Sequence, residues 1–201
     1  MIPILNAGHG GIVGGVYITP GKRSPKWSKG VLYEGMFNRW VMNRLKEKLD
    51  RANLPYFSAH GGEEDTPLKD RVKKANKYHD KNRGNVYYLS IHANAGGGEG
   101  IEVFTSRGQT KSDSIAEMFA LELMDVTEAY GSRFRPGMID GDLDKEAGFY
   151  ELRKTKCPAV LLELGFMDHI RDYDRLWNEK YLESVVQALF NVIQKIYNSE
   201  L

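Results

Sequence analysis

The run Ala159-Val160-Leu161-Leu162-Glu163 constrains the fold more than any other, because it is almost wholly apolar and lacks the alternation that would mark one wet face. A strand of this kind is buried on both sides, which places it centrally in a largely parallel sheet covered by helices. A second strand-like run, Asn85 to Ile91, carries Val86, Tyr87, Tyr88 and Leu89, and shorter ones span Ile2 to Ala7, Pro55 to Ser58, Ile101 to Thr105 and Phe149 to Leu152. Between them apolar residues recur at helical spacing. They are Phe37, Trp40, Val41, Leu45 and Leu49 from Glu34 to Asn53, and Leu68, Val72, Ala75 and Tyr78 from Pro67 to Lys81. Two further helices are predicted: Ser112 to Tyr130 with Ser112 as its cap, and Glu179 to Tyr197, which closes the fold. Strands alternating with helices predict an α/β class, a single domain over residues 1–201 whose mixed, largely parallel sheet is sandwiched between helices. Gly96-Gly97-Gly98 reads as a turn bringing the strands on either side of it together. Gly8 to Tyr33 reads as a long functional loop, and the acidic run Asp140 to Glu146 as an exposed one.

Composition narrows the class. A chain of 201 residues supports one substantial core, and 41% hydrophobic with 27% charged residues is ordinary for a globular protein. No apolar run reaches the length of a membrane span, and no basic, apolar, small-residue leader precedes the first strand. A net charge of +1 carries no polyanion signature, so no nucleic-acid partner is expected. One local asymmetry stands out: Lys22, Arg23, Lys26 and Lys29 all precede the first acidic residue, Glu34. The single Cys157, just before Pro158, reads as a buried structural thiol.

Chemistry gathers where strands end. In open α/β sheets ligands collect outside the carboxyl ends of the strands. His92 follows the Asn85 strand, and His9 follows the first strand inside Gly8-His9-Gly10-Gly11. Glu163 ends the central strand and Glu34 opens a helix. Each has a plain reading too; a carboxylate at a helix N-terminus, for example, is stabilised by the helix dipole. Together, two imidazoles and a carboxylate match a common catalytic zinc shell with one position left for substrate. A further carboxylate off the metal is what metal-assisted hydrolysis requires as a base. Spacing alone does not establish this, since the residues are scattered along the chain.

Several segments in order make the case more specific. They are Leu5-Asn6-Ala7-Gly8-His9-Gly10-Gly11, Glu34 with Asn38, Leu68 and Arg71 with Ala75-Asn76, Ser90-Ile91-His92-Ala93-Asn94, Gly100-Ile101-Glu102-Val103, Leu152-Arg153, and Pro158 to Phe166. This set resembles the zinc-dependent N-acetylmuramoyl-L-alanine amidases of the Amidase_3 type, over nearly the whole chain. The resemblance implies Zn2+ as cofactor, His9, Glu34 and His92 as its ligands, and Glu163 as the catalytic glutamate. It also implies hydrolysis of the amide between N-acetylmuramic acid and the L-alanine of the stem peptide, with peptidoglycan muramyl peptides as partner. Asn94, Arg23 and Trp27 are expected to contact substrate. No segment resembles the occluding helix of division-linked members, so no obligatory activator is expected. The expected place of action is the bacterial cell wall, as a phage-type endolysin released by other means or as a secreted chain with its leader trimmed.

His60 lies in Ala59-His60-Gly61-Gly62, where the family often has an Arg, and is expected to be a surface-loop residue rather than a ligand. His79 and His169 are expected to be solvated. Two readings compete with the amidase: a zinc carboxypeptidase or aminopeptidase acting on wall peptides, and a catalytically inactive peptidoglycan-binding module. A phosphate-binding loop at Gly8 to Gly15 is the weakest, because no Lys-Ser/Thr pair follows it.

Overall fold

The computed structural model describes residues 1–137 and 141–199. In chain order the elements are β1 (Ile2–Ala7), β2 (Ile12–Val13), β3 (Val16–Tyr17), α1 (Glu34–Arg51), β4 (Phe57–His60), α2 (Leu68–Lys81), β5 (Val86–Asn94), β6 (Glu102–Thr105), α3 (Lys111–Ala129), β7 (Lys145–Glu146), α4 (Tyr150–Lys154), β8 (Ala159–Phe166), α5 (Ile170–Leu176) and α6 (Glu179–Asn198). Six strands form one sheet in the order β4-β1-β5-β8-β6-β7, with β2 and β3 a separate small hairpin. All pairs in the large sheet are parallel except β6 with β8. The architecture is the α/β sandwich expected, mixed and mostly parallel.

The apolar runs do what their lack of alternation requires. β5 and β8 sit at the middle of the sheet, and successive residues feed opposite cores. Leu5, Leu89, Ile91, Val160 and Leu162 pack against α1, α3 and α6, whereas Ile4, Tyr88, Ala159 and Leu161 pack against α2 and α4. The second core also takes Cys157, whose burial pushes its thiol up to about 12, as befits an inert structural position.

Several local expectations shift. The glycine link does not join neighbouring strands: β8 inserts between β5 and β6, so Gly96 to Gly98 arches over its end, with Gly98 close to the Phe166 ring. Phe149 to Leu152 is not a strand but opens α4, closed by Arg153 N donating to Phe149 O (3.1 Å); four residues are too few to separate a twofold from a helical period. The second strand runs two residues later than Pro55 to Ser58, because its pairing with β1 begins at Ile4 opposite Phe57. α3 is capped by Thr110 in a capping box with Asp113, while the Ser112 hydroxyl accepts from Ala159 N of β8 (3.0 Å). Asp140 lies outside the described residues. Of the rest of that acidic run, Asp144 is buried and accepts from Thr105 Oγ1, and Lys145 and Glu146 pair with β6, so it is not simply an exposed loop.

Candidate metal centre and active-site cleft

The carboxyl ends of β1, β5 and β8 and the first turn of α1 converge on one cleft of about 880 Å³, lined among others by His9, Glu34, His92, Asn94, Glu151 and Glu163. His9 sits two residues past the end of β1 with φ +62, a left-handed conformation that is uncommon outside glycine and marks a constrained position. Its carbonyl is gripped from behind. Arg39 Nη2 donates to it at 2.7 Å, and His60 Nε2 lies 3.0 Å away. Arg39 also donates to Gly35 O and Gly62 O, and Asn38 Nδ2 to Gly8 O, so the first turns of α1 fasten the loop that carries His9. Gly8 is required by space: a Cβ there would fall inside the His92 imidazole. Gly35 is required for the same reason, since its Cβ would meet the Gly10 carbonyl.

Glu34, buried at the α1 N-terminus, is the hub. Its Oε1 lies 3.2 Å from His9 Nε2 and 3.0 Å from His92 Nδ1, and the two rings meet edge-on with centroids 5.1 Å apart. One ligand atom from each of the three residues lies within 4.8 Å of the other two. Burial pushes the Glu34 carboxyl up, but hydrogen bonds from His9 and His92 outweigh it and hold the group down at about 2. Burial likewise favours neutral His92, and the flanking carboxylates Glu151 and Glu34 overcome it to raise the imidazole to about 10. Two ring nitrogens and one anionic oxygen converging at this separation are the donor set a zinc ion takes.

Glu163 faces His92 across the β5–β8 ladder and Glu102 across the β8–β6 ladder. Its Oε2 is buried without a hydrogen-bond partner among the described residues. Burial first, with Glu34 and Glu102 adding repulsion against the pull of His92, raises its carboxyl to about 8. A half-buried acid raised this far, with one oxygen free of hydrogen bonds among the described residues, is poised to exchange protons, and that oxygen beside the triad is what a nearby cation would compensate.

The other residues singled out from sequence divide. Asn94 lines the cleft, but both ends of its amide are used, Nδ2 donating to Glu102 Oε2 (2.7 Å) and Oδ1 accepting from Ala95 N (2.8 Å). Arg23 is exposed and pairs its backbone with Tyr33. Trp27 stands edge-on to Tyr173 at 4.8 Å, anchored toward α5. Neither lines the cleft; Lys22 does, with Nζ 4.0 Å from Glu34 Oε2. His60 is buried in β4 rather than on a surface loop, and burial first, then Arg71, drives its imidazole down to about 4, so it stays neutral in its supporting role. His79 is half-buried beside Asp80, and half-buried His169 clusters with Glu99 and Asp172. That second cluster already holds a cation, the Arg175 guanidinium, 3.1 Å from Glu99 and 2.8 Å from Asp172. Glu151 escaped the sequence reading because its segment was assigned to a strand. The signal that finds it is structural: buried, lining the cleft, on the α4 side of His92.

Comparison with known proteins identifies the family and the fold. The sequence profile of the Amidase_3 family, N-acetylmuramoyl-L-alanine amidase, matches residues 4–195. The chain is 27% identical over 147 residues to N-acetylmuramoyl-L-alanine amidase CwlM of Bacillus licheniformis, covering 73% of this chain and 52% of that one. It is 28% identical over 135 residues to the sporulation-specific N-acetylmuramoyl-L-alanine amidase of Bacillus subtilis (strain 168), covering 65% and 46%. It thus spans about half the length of these curated relatives. The crystal structure of N-acetylmuramoyl-L-alanine amidase from Clostridium difficile 630 superposes with a TM-score of 0.74 at 22% identity, covering 100% of this chain and 98% of that one, so the fold is shared. With a profile match over nearly its whole length, the chain belongs to the Amidase_3 family of N-acetylmuramoyl-L-alanine amidases.

Proposed function

We propose that residues 1–201 act as a zinc-dependent peptidoglycan amidase domain that cuts the bond between N-acetylmuramic acid and the L-alanine of the stem peptide. The observation that carries this reading is the convergence of His9, Glu34 and His92 beside the Glu163 carboxyl, whose Oε2 has no hydrogen-bond partner among the described residues, within a chain of this family. His9 Nε2, Glu34 Oε1 and His92 Nδ1 would hold the ion. Bound there, zinc supplies a Lewis acid that lowers the pKa of water to about 7 and polarises the amide carbonyl. Glu163 takes the proton at its free oxygen and returns it to the departing alanine nitrogen, so one carboxylate serves both halves of the reaction. Phe149 and Tyr150 form an apolar side of the cleft suited to a sugar face, and Lys22 places an ammonium where a stem-peptide carboxylate can pair with it.

Mass spectrometry of digested muropeptides tests bond choice directly. The products expected are an intact glycan and a peptide with a free L-alanine amino terminus. Alanine still joined to muramic acid, with cleavage inside the stem, would replace this reading with a wall carboxypeptidase.

A further inference from the structure

We propose that Glu151 is a positioning residue for His92, accepting the imidazole Nε2–H so that Nδ1 is the nitrogen turned toward His9 and Glu34. The inference rests on the proposed zinc site, and it follows from how β5 alternates. Tyr88, Ser90 and His92 are spaced by two, so their side chains leave the same face of the sheet, and Asn6 of β1 stands beside Ser90 in register. α4 lays the Glu151 side chain along that stripe. Its Oε1 accepts from Ser90 Oγ at 2.8 Å, while Oε2 accepts from Tyr88 OH at 3.2 Å and Asn6 Nδ2 at 3.4 Å. Asn6 also donates to Ser90 Oγ at 2.8 Å, which links the donors to each other.

A carboxylate fixed by three neutral donors is built to present a full negative charge at one place. That place is the far edge of the His92 ring. Nε2 lies 3.6 Å from Glu151 Oε1 and has no hydrogen-bond partner among the described residues, while Nδ1 is 3.0 Å from Glu34 Oε1. The two nitrogens of one imidazole therefore face two different acids. The first acid belongs to the cluster of converging ligand atoms and the second does not. A ring that donates from Nε2 leaves its Nδ1 lone pair for an ion, which fixes both the tautomer and the ring plane once the proton shared with Glu34 is displaced. A purely structural role for Glu151 would need only Ser90, Tyr88 and Asn6, and would leave the choice of nitrogen on His92 open.

The experiment uses the full chain with zinc as the probe. In ¹⁵N-histidine-labelled, zinc-loaded protein, His92 is expected to show a metal-bound Nδ1 and a protonated Nε2. Chelator competition should find zinc bound about 10- to 100-fold more weakly by Glu151→Ala, with Glu151→Gln in between because its amide oxygen still accepts. An Nε2-bound zinc with the proton on Nδ1 overturns the proposal, as does an alanine variant that binds zinc within about threefold of wild type, well below the usual cost of such a loss. Should the alanine variant not fold, the wild-type spectrum decides alone. His9→Ala in the same titration separates the two levels: if wild type binds zinc no better than this variant, the metal site itself fails. If His9→Ala weakens binding and the Glu151 variants do not, only the positioning role fails.

Discussion

Glu34, buried, and Glu163, half-buried, line one cleft, yet their surroundings drive their carboxyls in opposite directions, down to about 2 and up to about 8. Glu34 is clasped by two imidazoles and stays ionised; Glu163 has no donor for Oε2 among the described residues and feels Glu34 and Glu102, so it holds its proton until a cation beside it draws the carboxyl down to act as a base. Such a split is the expected signature of a ligand and a base. Glu163→Gln should keep about one zinc per chain while turnover falls about 10²- to 10⁴-fold, which elemental analysis and muropeptide kinetics would check together. If zinc were lost as well, Glu163 would be a ligand. The same residue sets a pH dependence in chelator-stripped protein. Its carboxyl is raised from an ordinary 4.5 to about 8, so the fold binds a proton that the unfolded chain releases. That contribution is complete below pH 4.5 and is lost as pH rises through 8. Thermal melts should therefore show Glu163→Gln gaining on wild type between these limits; a constant gap would mean the carboxyl is already ionised. At this scale the sequence is informative where a strand delivers a side chain: His9 follows β1 as expected, whereas His92 and Glu163, read as strand ends, lie inside β5 and β8, which run on to Asn94 and Phe166. It was mute on Lys22 against Arg23, because neighbours in an irregular loop have no period to assign them a face.

Among elements, legibility followed length. α1, α2, α3 and α6 each run for 14 residues or more and lie close to where their apolar spacing put them. α4 and α5, of five and seven residues, complete too few turns to show a period; one was read as a strand and the other not at all. The cap of α3 was displaced by two residues because Thr110 and Ser112 are both good capping types, and only the backbone decides which hydroxyl meets a free N–H. Ser112 N donates to Thr110 Oγ1 at 3.0 Å, and Asp113 returns the bond to Thr110 N. Thr110→Ala should then cost about 0.5–2 kcal/mol in a denaturant titration, with the m-value unchanged. Ser112→Ala acts through a different bond, to β8, but the two residues are hydrogen-bonded to each other, so the double variant should depart from the sum of the single losses.

At the level of the molecule, the alternation of helices with apolar strands was enough to give an α/β sandwich, but not the order of its strands. Periodicity says which faces are buried and nothing about which neighbour buries an edge, so the placement of β8 between β5 and β6 came only from the structure. No helix among the described residues is long and apolar enough to cross a membrane. The cleft opens between the basic loop and α4, and its charges at the mouth are exposed enough for salt to screen them. The purified chain is therefore expected to digest isolated sacculi without an added protein, and more slowly as ionic strength rises. Activity that appears only with a partner would mean that something outside these residues completes the site. The position of β8 also bears on synthesis. A ribosome delivers His9, Glu34 and His92 long before residues 159–166, yet β5 keeps a bare edge and β6 has no β8 to pair with until that late strand threads between them. Sheet closure and the arrival of the proposed base are thus one event, and a polypeptide cut short before Glu163 would carry the three proposed ligands without the carboxyl expected to accept the proton.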